Sequence, residues 1–131
     1  MIDLSGIFLL FFVLLLCESC GNNEIYFDKN KCAIYTESHL LIKKLYLNSS
    51  NSESFIIIRL KKEKDFKDTF KLFQNSNDFD FYSFRGQKLK GYKFKPACTY
   101  EFTNASIPDA TPITLKIRID SSGTCNEIRK N

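Results

Sequence analysis

Histidine is almost absent from this chain, because His39 is the only one among 131 residues. A histidine-based metal site or a Cys-His nucleophile pair would have to be built around that single imidazole. We expect His39 to be a surface or strand-edge residue, and we expect no metal site. The chain also lacks a Gly-rich phosphate loop, a zinc-protease helix motif, a nucleophile elbow and an EF-hand loop. These absences predict a non-enzyme without a cofactor.

One pair of carboxylates gives the best remaining case for catalysis. Asp78 and Asp80 share a parity and would face the same way on a strand, as a glycosidase-like pair would. They lie next to Asn75 and Asn77 at a predicted turn, which favours solvated turn residues. A small secreted hydrolase, which would have to join His39 to a carboxylate or a hydroxyl, is therefore the least favoured function.

Basic residues are missing from the amino-terminal segment, which carries Asp3 but no Lys or Arg. Its apolar run, Ile7 to Leu16, is about ten residues long, whereas a helix needs about twenty to cross a bilayer. The segment is typical of a secretory signal peptide rather than of a transmembrane anchor. We predict a signal peptide over residues 1–19. Residues 20–131 then form one domain, in the extracellular space or the endolysosomal lumen.

The cleavage position decides the cysteine count. Cleavage needs small residues at the first and third positions before the cut. A cut after Ser19 meets this condition and leaves four cysteines, and a cut after Gly21 meets it and leaves three. We favour four, because an even number needs no free thiol in an oxidising compartment. These are Cys20, Cys32, Cys98 and Cys125. We prefer the pairs Cys32 with Cys98 and Cys20 with Cys125, since the second would tie the chain ends together, but the sequence leaves the pairing open. A bacterial lipoprotein, whose leader would be cut just before a modified Cys20, is the alternative: Ser19 before Cys20 fits it, but Cys17 stands where an aliphatic residue is expected.

Two N-glycosylation sequons agree with export. Asn48-Ser49-Ser50 and Asn104-Ala105-Ser106 both fall where the chain has the character of a loop or strand end. We predict Asn48 and Asn104 as glycan acceptors, provided that the leader is a signal peptide.

Period-two alternation predicts a mostly β domain. The clearest case is Ile113 to Ile119, in which aliphatic and polar residues alternate. Cys98 to Thr103 and Tyr92 to Lys95 alternate in the same way. Phe55 to Leu60 is short and β-branched, which fits a strand buried on both faces, and Phe79 to Phe84 is aromatic on both parities.

Two segments are ambiguous between helix and strand. Phe66, Phe70 and Phe73 have helical spacing, although Thr69 to Gln74 would also serve as a strand, and His39 to Leu47 has the same ambiguity. No repeated crossover helix is visible, so the pattern favours antiparallel strands. We predict an antiparallel two-sheet β-sandwich, immunoglobulin-like, disulfide-stapled and with one short helix at most.

Positive charge is concentrated in one segment. The net charge is +4, and removal of a leader that carries Asp3 and Glu18 makes it more positive. Five basic residues lie close together without an acidic partner, and they are Arg85, Lys88, Lys90, Lys93 and Lys95. This basic surface would suit anionic lipid headgroups, sulfated glycans or an acidic receptor, whereas nucleic acid is not expected for an exported protein. The alternative is a lysine-rich edge that only prevents strand-to-strand aggregation.

The last third of the chain resembles a known family. Its features are the run Cys98-Thr99-Tyr100-Glu101-Phe102, then Pro108 and Pro112, the strand Ile113 to Ile119, and Cys125 before Glu127-Ile128. They are similar to the end of an ML (MD-2-related lipid-recognition) domain, the family that includes the Niemann-Pick type C2-like sterol carriers. The resemblance implies an immunoglobulin-like two-sheet sandwich with a lipid between the sheets. This chain departs from the family's pattern in having fewer cysteines and a shorter final strand.

Two functions follow from these observations. The first is a secreted, non-enzymatic carrier or sensor of a lipid or other hydrophobic ligand held between the sheets. The second is a secreted interaction module that binds a receptor, a glycan or a partner protein through the basic surface from Arg85 to Lys95. An empty apolar cavity between the sheets would favour the first function, and a filled core would favour the second.

Overall fold

Two antiparallel sheets make up the computed structural model, which describes residues 21–37, 40–50, 55–62, 64, 67–75 and 77–128. The small sheet, in the order β1-β2-β5, consists of β1 (Tyr26–Asp28), β2 (Ala33–Tyr35) and β5 (Thr69–Lys71). The large sheet consists of β3 (Lys44–Ser49), β4 (Ile56–Leu60), β6 (Phe79–Ser83), β7 (Lys88–Leu89), β8 (Cys98–Asn104), β9 (Ile113–Ile119) and β10 (Cys125–Ile128). Its strand order is β10-β9-β8-β3-β4-β6-β7.

The predicted antiparallel two-sheet fold is confirmed, and within the described ranges all regular structure is β. The segment that was ambiguous around Phe70 forms β5, which pairs with β2. The predicted signal peptide, Cys20 and His39 lie outside the described residues.

Phe70 lies at the centre of the core between the sheets and is 0% exposed. Its ring centroid is 5.0 Å from that of Phe79, 6.3 Å from that of Phe81 and 6.0 Å from that of Phe102. Phe70 belongs to the small sheet and the other three rings belong to the large sheet. These aromatic contacts therefore hold the two sheets together.

Alternation along the longest strands agrees with the prediction. In β9, Leu115 and Ile117 are buried, while Thr114 and Arg118 are exposed. Because successive side chains of a strand point to opposite faces, every second side chain faces the core and the others lie on the outer face of the large sheet.

The segment from Tyr92 to Lys95 was predicted as a strand, and this was wrong. The backbone N–H of Lys95 donates to the hydroxyl of Tyr100 at 2.8 Å instead of to a neighbouring strand. Phe94 is nevertheless buried, with its ring centroid 4.9 Å from that of Tyr100. Burial raises the pKa of Tyr100 to about 12, because the charged phenolate is poorly solvated there.

The segment from Phe55 to Leu60 was predicted to be buried on both faces, and only half of this is correct. It does form β4, in which Ile58 is fully buried. Ile57 is half-buried and Arg59 is exposed. Since the small sheet covers only the inner face of the large sheet, the outer side chains of β4 remain accessible.

The disulfide pairing also differs from the preferred one. Cys32, beside β2, is bonded to Cys125 of β10, with the two Cα atoms 5.7 Å apart, and Cys98 is a buried free cysteine. Ile119 pairs with both Cys98 and Cys125, so strand β9 separates these two cysteines. Because Cys32 and Cys125 bond to each other, the preferred bonds, Cys32 with Cys98 and Cys20 with Cys125, were wrong. The observed bond ties the small sheet to an edge strand of the large sheet.

The turn between β9 and β10 is built on Asp120. Its carboxylate accepts hydrogen bonds from the Ser122 hydroxyl and from the backbone N–H groups of Ser122 and Thr124, at 2.6, 3.0 and 2.8 Å. Gly123 in the same turn has a φ of 89°, which a side chain would strain. The Ser122 hydroxyl, followed by the backbone donor of Thr124, lowers the pKa of Asp120 below its ordinary value of 3.8.

We expect Asp120→Asn to destabilise the protein at neutral pH and to lose this effect in acid. A folded-state pKa below the unfolded value stabilises the fold above the unfolded pKa, and this contribution disappears as pH falls through the folded pKa. Guanidinium unfolding of both proteins at neutral pH and well below pH 3.8 measures the difference. Asp109→Asn, at an exposed acid outside this turn, controls for the loss of one charge. A difference that stays constant with pH would contradict the role of the Asp120 carboxylate in the turn.

Candidate functional site

The outer face of the large sheet, which we call the open face, includes two rows of three side chains from β3, β4 and β6. They are Lys44, Tyr46, Ile57, Arg59, Asp80 and Tyr82. Strand pairing aligns the charged residues in one row, with Lys44 opposite Arg59 and Arg59 opposite Asp80. Tyr46, Ile57 and Tyr82 form the next row, since residues two apart share a face.

A groove of about 1000 Å³ lies over these rows. Six basic residues line it, and they are Lys43, Lys44, Arg59, Lys61, Lys62 and Lys88. Asp80 is the single acid among the described residues that line the groove. The groove therefore has a strong excess of positive charge, and a concave surface lined by one sign of charge concentrates ions of the opposite sign.

Aromatic rings and one carboxylate orient three of the groove cations. The Lys44 Nζ atom is 4.9 Å from the Tyr46 ring centroid, and the Arg59 guanidinium is 6.0 Å from the Tyr82 ring centroid. Each such cation-π contact contributes about 0.5–1 kcal/mol at an exposed site. The Lys88 Nζ atom is 3.6 Å from a carboxylate oxygen of Asp80.

One wall of the groove is formed by the loop between β8 and β9, and it includes Ala105, Ser106, Pro108 and Pro112. Asn23, which is buried, donates to the carbonyl of Ile107 at 3.0 Å and accepts from the N–H of Ile107 at 2.9 Å. The Ser106 hydroxyl oxygen accepts from the backbone N–H of Lys43 at 2.8 Å. The Asn23 bonds fix the wall to the segment before β1, and the Ser106 bond fixes it to the residue that precedes β3.

The basic surface predicted from the sequence extends over the turn between β6 and β7, strand β7 and the segment between β7 and β8. All five of its residues are exposed, and among them Lys88 lines the groove. The Arg85 guanidinium lies 5.7 Å from the ring of Phe84 in the turn between β6 and β7. The remaining three, Lys90, Lys93 and Lys95, lie between β7 and β8.

Sequence reasoning missed most of the groove cations. Two basic pairs, Lys43-Lys44 and Lys61-Lys62, stand at the start of β3 and just after β4, and Arg59 is the charged position within β4. Those two basic pairs were the sequence feature that could have indicated a positively charged site. Their convergence depends on the pairing of β3 with β4, which the local pattern does not encode.

The two carboxylates that were considered for catalysis, Asp78 and Asp80, form ion pairs with lysine side chains. Asp78 lies 3.7 Å from the Lys64 Nζ atom and 3.6 Å from the Lys67 Nζ atom, while Asp80 pairs with Lys88. Within the described part of the chain, no three potential metal-ligating side chains lie together.

The two sequons have different surroundings. Asn48 is exposed near the end of β3. Asn104 is only 1% exposed, and its side-chain nitrogen donates to the backbone carbonyl of Asn23 at 3.2 Å. A glycan on Asn104 would have to displace that buried hydrogen bond, whereas Asn48 has space for one.

Aromatic side chains occupy the space between the sheets. Phe70 contacts Phe94 at 6.2 Å between centroids, and Phe94 contacts Tyr100 and Phe102 at 4.9 and 5.8 Å. All four are nearly or fully buried. A lipid between the sheets would have to displace these rings.

Comparison with family models, curated proteins and solved structures found nothing that matches this chain. The resemblance to the ML domain therefore stays a hypothesis. Among the described residues, no helix has the length and apolar character needed to cross a membrane.

Proposed function

We propose that this protein is a secreted, non-enzymatic binding protein that holds an anionic ligand in the groove of the open face. The observation that carries the proposal is the convergence of six basic side chains on one concave surface. Lys and Arg bind sulfate and phosphate groups through charge-assisted hydrogen bonds. The bond between Cys32 and Cys125 supports export, because disulfides persist in oxidising compartments.

This proposal keeps the hypothesis of a secreted interaction module, but it places the binding site in the groove of the open face instead of on the segment from Arg85 to Lys95. The segment from Arg85 to Lys95 contributes Lys88, and β3, β4 and their flanking residues contribute the other five cations. The lipid-carrier hypothesis is less favoured because the rings around Phe70 fill the space in which the lipid would lie.

A sulfated heparin oligosaccharide is the probe that tests the groove. We expect Lys44→Ala combined with Arg59→Ala to weaken its binding by roughly tenfold or more, since a hydrogen bond to a charged group contributes about 1.5–3 kcal/mol. Isothermal titration calorimetry measures the affinity. Raising the salt from about 0.05 to about 0.2 M is expected to weaken wild-type binding, because these exposed charges are then screened.

The matched control is Lys93→Ala combined with Lys95→Ala, which removes the same charge away from the groove. We expect the control to bind within about threefold of wild type, as distant exposed charges are largely screened. Equal weakening by both double variants would show that net charge, and not the groove, binds the probe.

A further inference from the structure

An aromatic strip continues from the groove along the open face. It consists of Tyr46, Phe55 and Phe84. The Tyr46 and Phe55 ring centroids are 6.0 Å apart, and those of Phe55 and Phe84 are 5.8 Å apart. Phe84 is 54% exposed in the turn that follows β6, so the strip ends in a phenyl ring that projects into solvent.

Cations stand at both ends of the aromatic strip. The Lys44 Nζ atom lies over the ring of Tyr46, and the Arg85 guanidinium lies over the ring of Phe84, at 4.9 and 5.7 Å. The groove cations adjoin the strip through Tyr46, which belongs to both. The open face therefore combines accessible aromatic surface with net positive charge.

We infer that the open face docks on a membrane that contains anionic lipids. Aromatic rings favour the boundary between headgroups and acyl chains, while Lys and Arg bind the phosphates of anionic headgroups. The side chain of Phe84 would enter the interface, and the cations beside it would meet the lipid phosphates. A freely soluble polyanion satisfies the groove cations but leaves Phe84 in water, which is why the aromatic strip favours a membrane. This inference rests on the proposed function, since it names lipid headgroups as the source of the anions.

A single tryptophan reports on the docking, because the natural chain has none. Phe84→Trp places the probe at the inferred contact. Phe73→Trp is the matched control, since Phe73 is 56% exposed and lines a different cavity. Both are made with Asn48→Gln, because Asn48 lies two residues after Tyr46 on the same face and a glycan there would cover it.

Vesicles of phosphatidylcholine alone are compared with vesicles that also contain phosphatidylglycerol. We expect the emission of Phe84→Trp to shift to the blue only with the anionic vesicles, and the emission of Phe73→Trp to stay unchanged. Phe84→Ala is expected to reduce co-sedimentation with anionic vesicles by roughly tenfold, because one phenyl ring leaves the interface.

Equal shifts for the two tryptophans, or equal binding to neutral vesicles, would overturn the inference. If the protein binds the heparin oligosaccharide in an Arg59-dependent way but ignores anionic vesicles, the membrane inference fails and the groove proposal stands. Loss of both interactions would reject both proposals.

Discussion

Phe70→Ala is expected to lower the free energy of unfolding by about 3–5 kcal/mol, which is the range for truncation of a buried phenylalanine. The ring is fully buried and contacts Phe79, Phe81, Phe94 and Phe102 of the aromatic core. Its loss leaves a cavity where the small sheet meets the large sheet. Urea unfolding, followed by circular dichroism, measures the change.

The control for this substitution lies three residues further along the chain. Phe73 is 56% exposed, so Phe73→Ala removes the same atoms with little loss of burial, and we expect a change within about 0.5 kcal/mol. Similar destabilisation by the two substitutions would contradict the central position of Phe70 in the core.

Removal of the disulfide, by Cys32→Ala with Cys125→Ala, is expected to destabilise the protein by about 4.6 kcal/mol. The two cysteines are separated by 93 positions, and a crosslink of that length strongly restricts the unfolded chain in the loop-entropy description. Guanidinium unfolding under non-reducing conditions compares the double variant with the wild type.

Cys98→Ala is the control for the disulfide, because Cys98 is buried but unbonded. We expect it to cost about 1 kcal/mol, a typical effect of one substitution. If Cys98→Ala destabilises the protein as much as the double variant does, the assignment of Cys98 as an unbonded cysteine is contradicted. Peptide mapping without reduction identifies the bonded pair directly.

The strands could be predicted where the local pattern was unambiguous. Ile113 to Ile119 alternates between aliphatic and polar residues, and it forms β9 with the same bounds. Tyr92 to Lys95 alternates as well, yet it forms no strand, because the Tyr100 hydroxyl accepts the N–H that a neighbouring strand would have used. Alternation reports which side chains are buried, but it does not identify the partner of each backbone donor.

The candidate site was less predictable than the fold. Lys88 was expected to lie on a basic surface and does lie beside the groove. Lys44 and Arg59 were not expected there, because they come from different strands and become neighbours only when β3 pairs with β4. A one-residue change of register would move these side chains to the opposite face.

The local pattern of residues was enough to predict that this protein consists mostly of β-strands, since the alternation of buried and exposed side chains is a local property. Three features depend on how the strands assemble: Cys125 bonds to Cys32, Asn104 is buried, and the basic side chains line one groove. The physical reason is that strand order and register depend on contacts between residues far apart in the chain, which a local pattern does not specify.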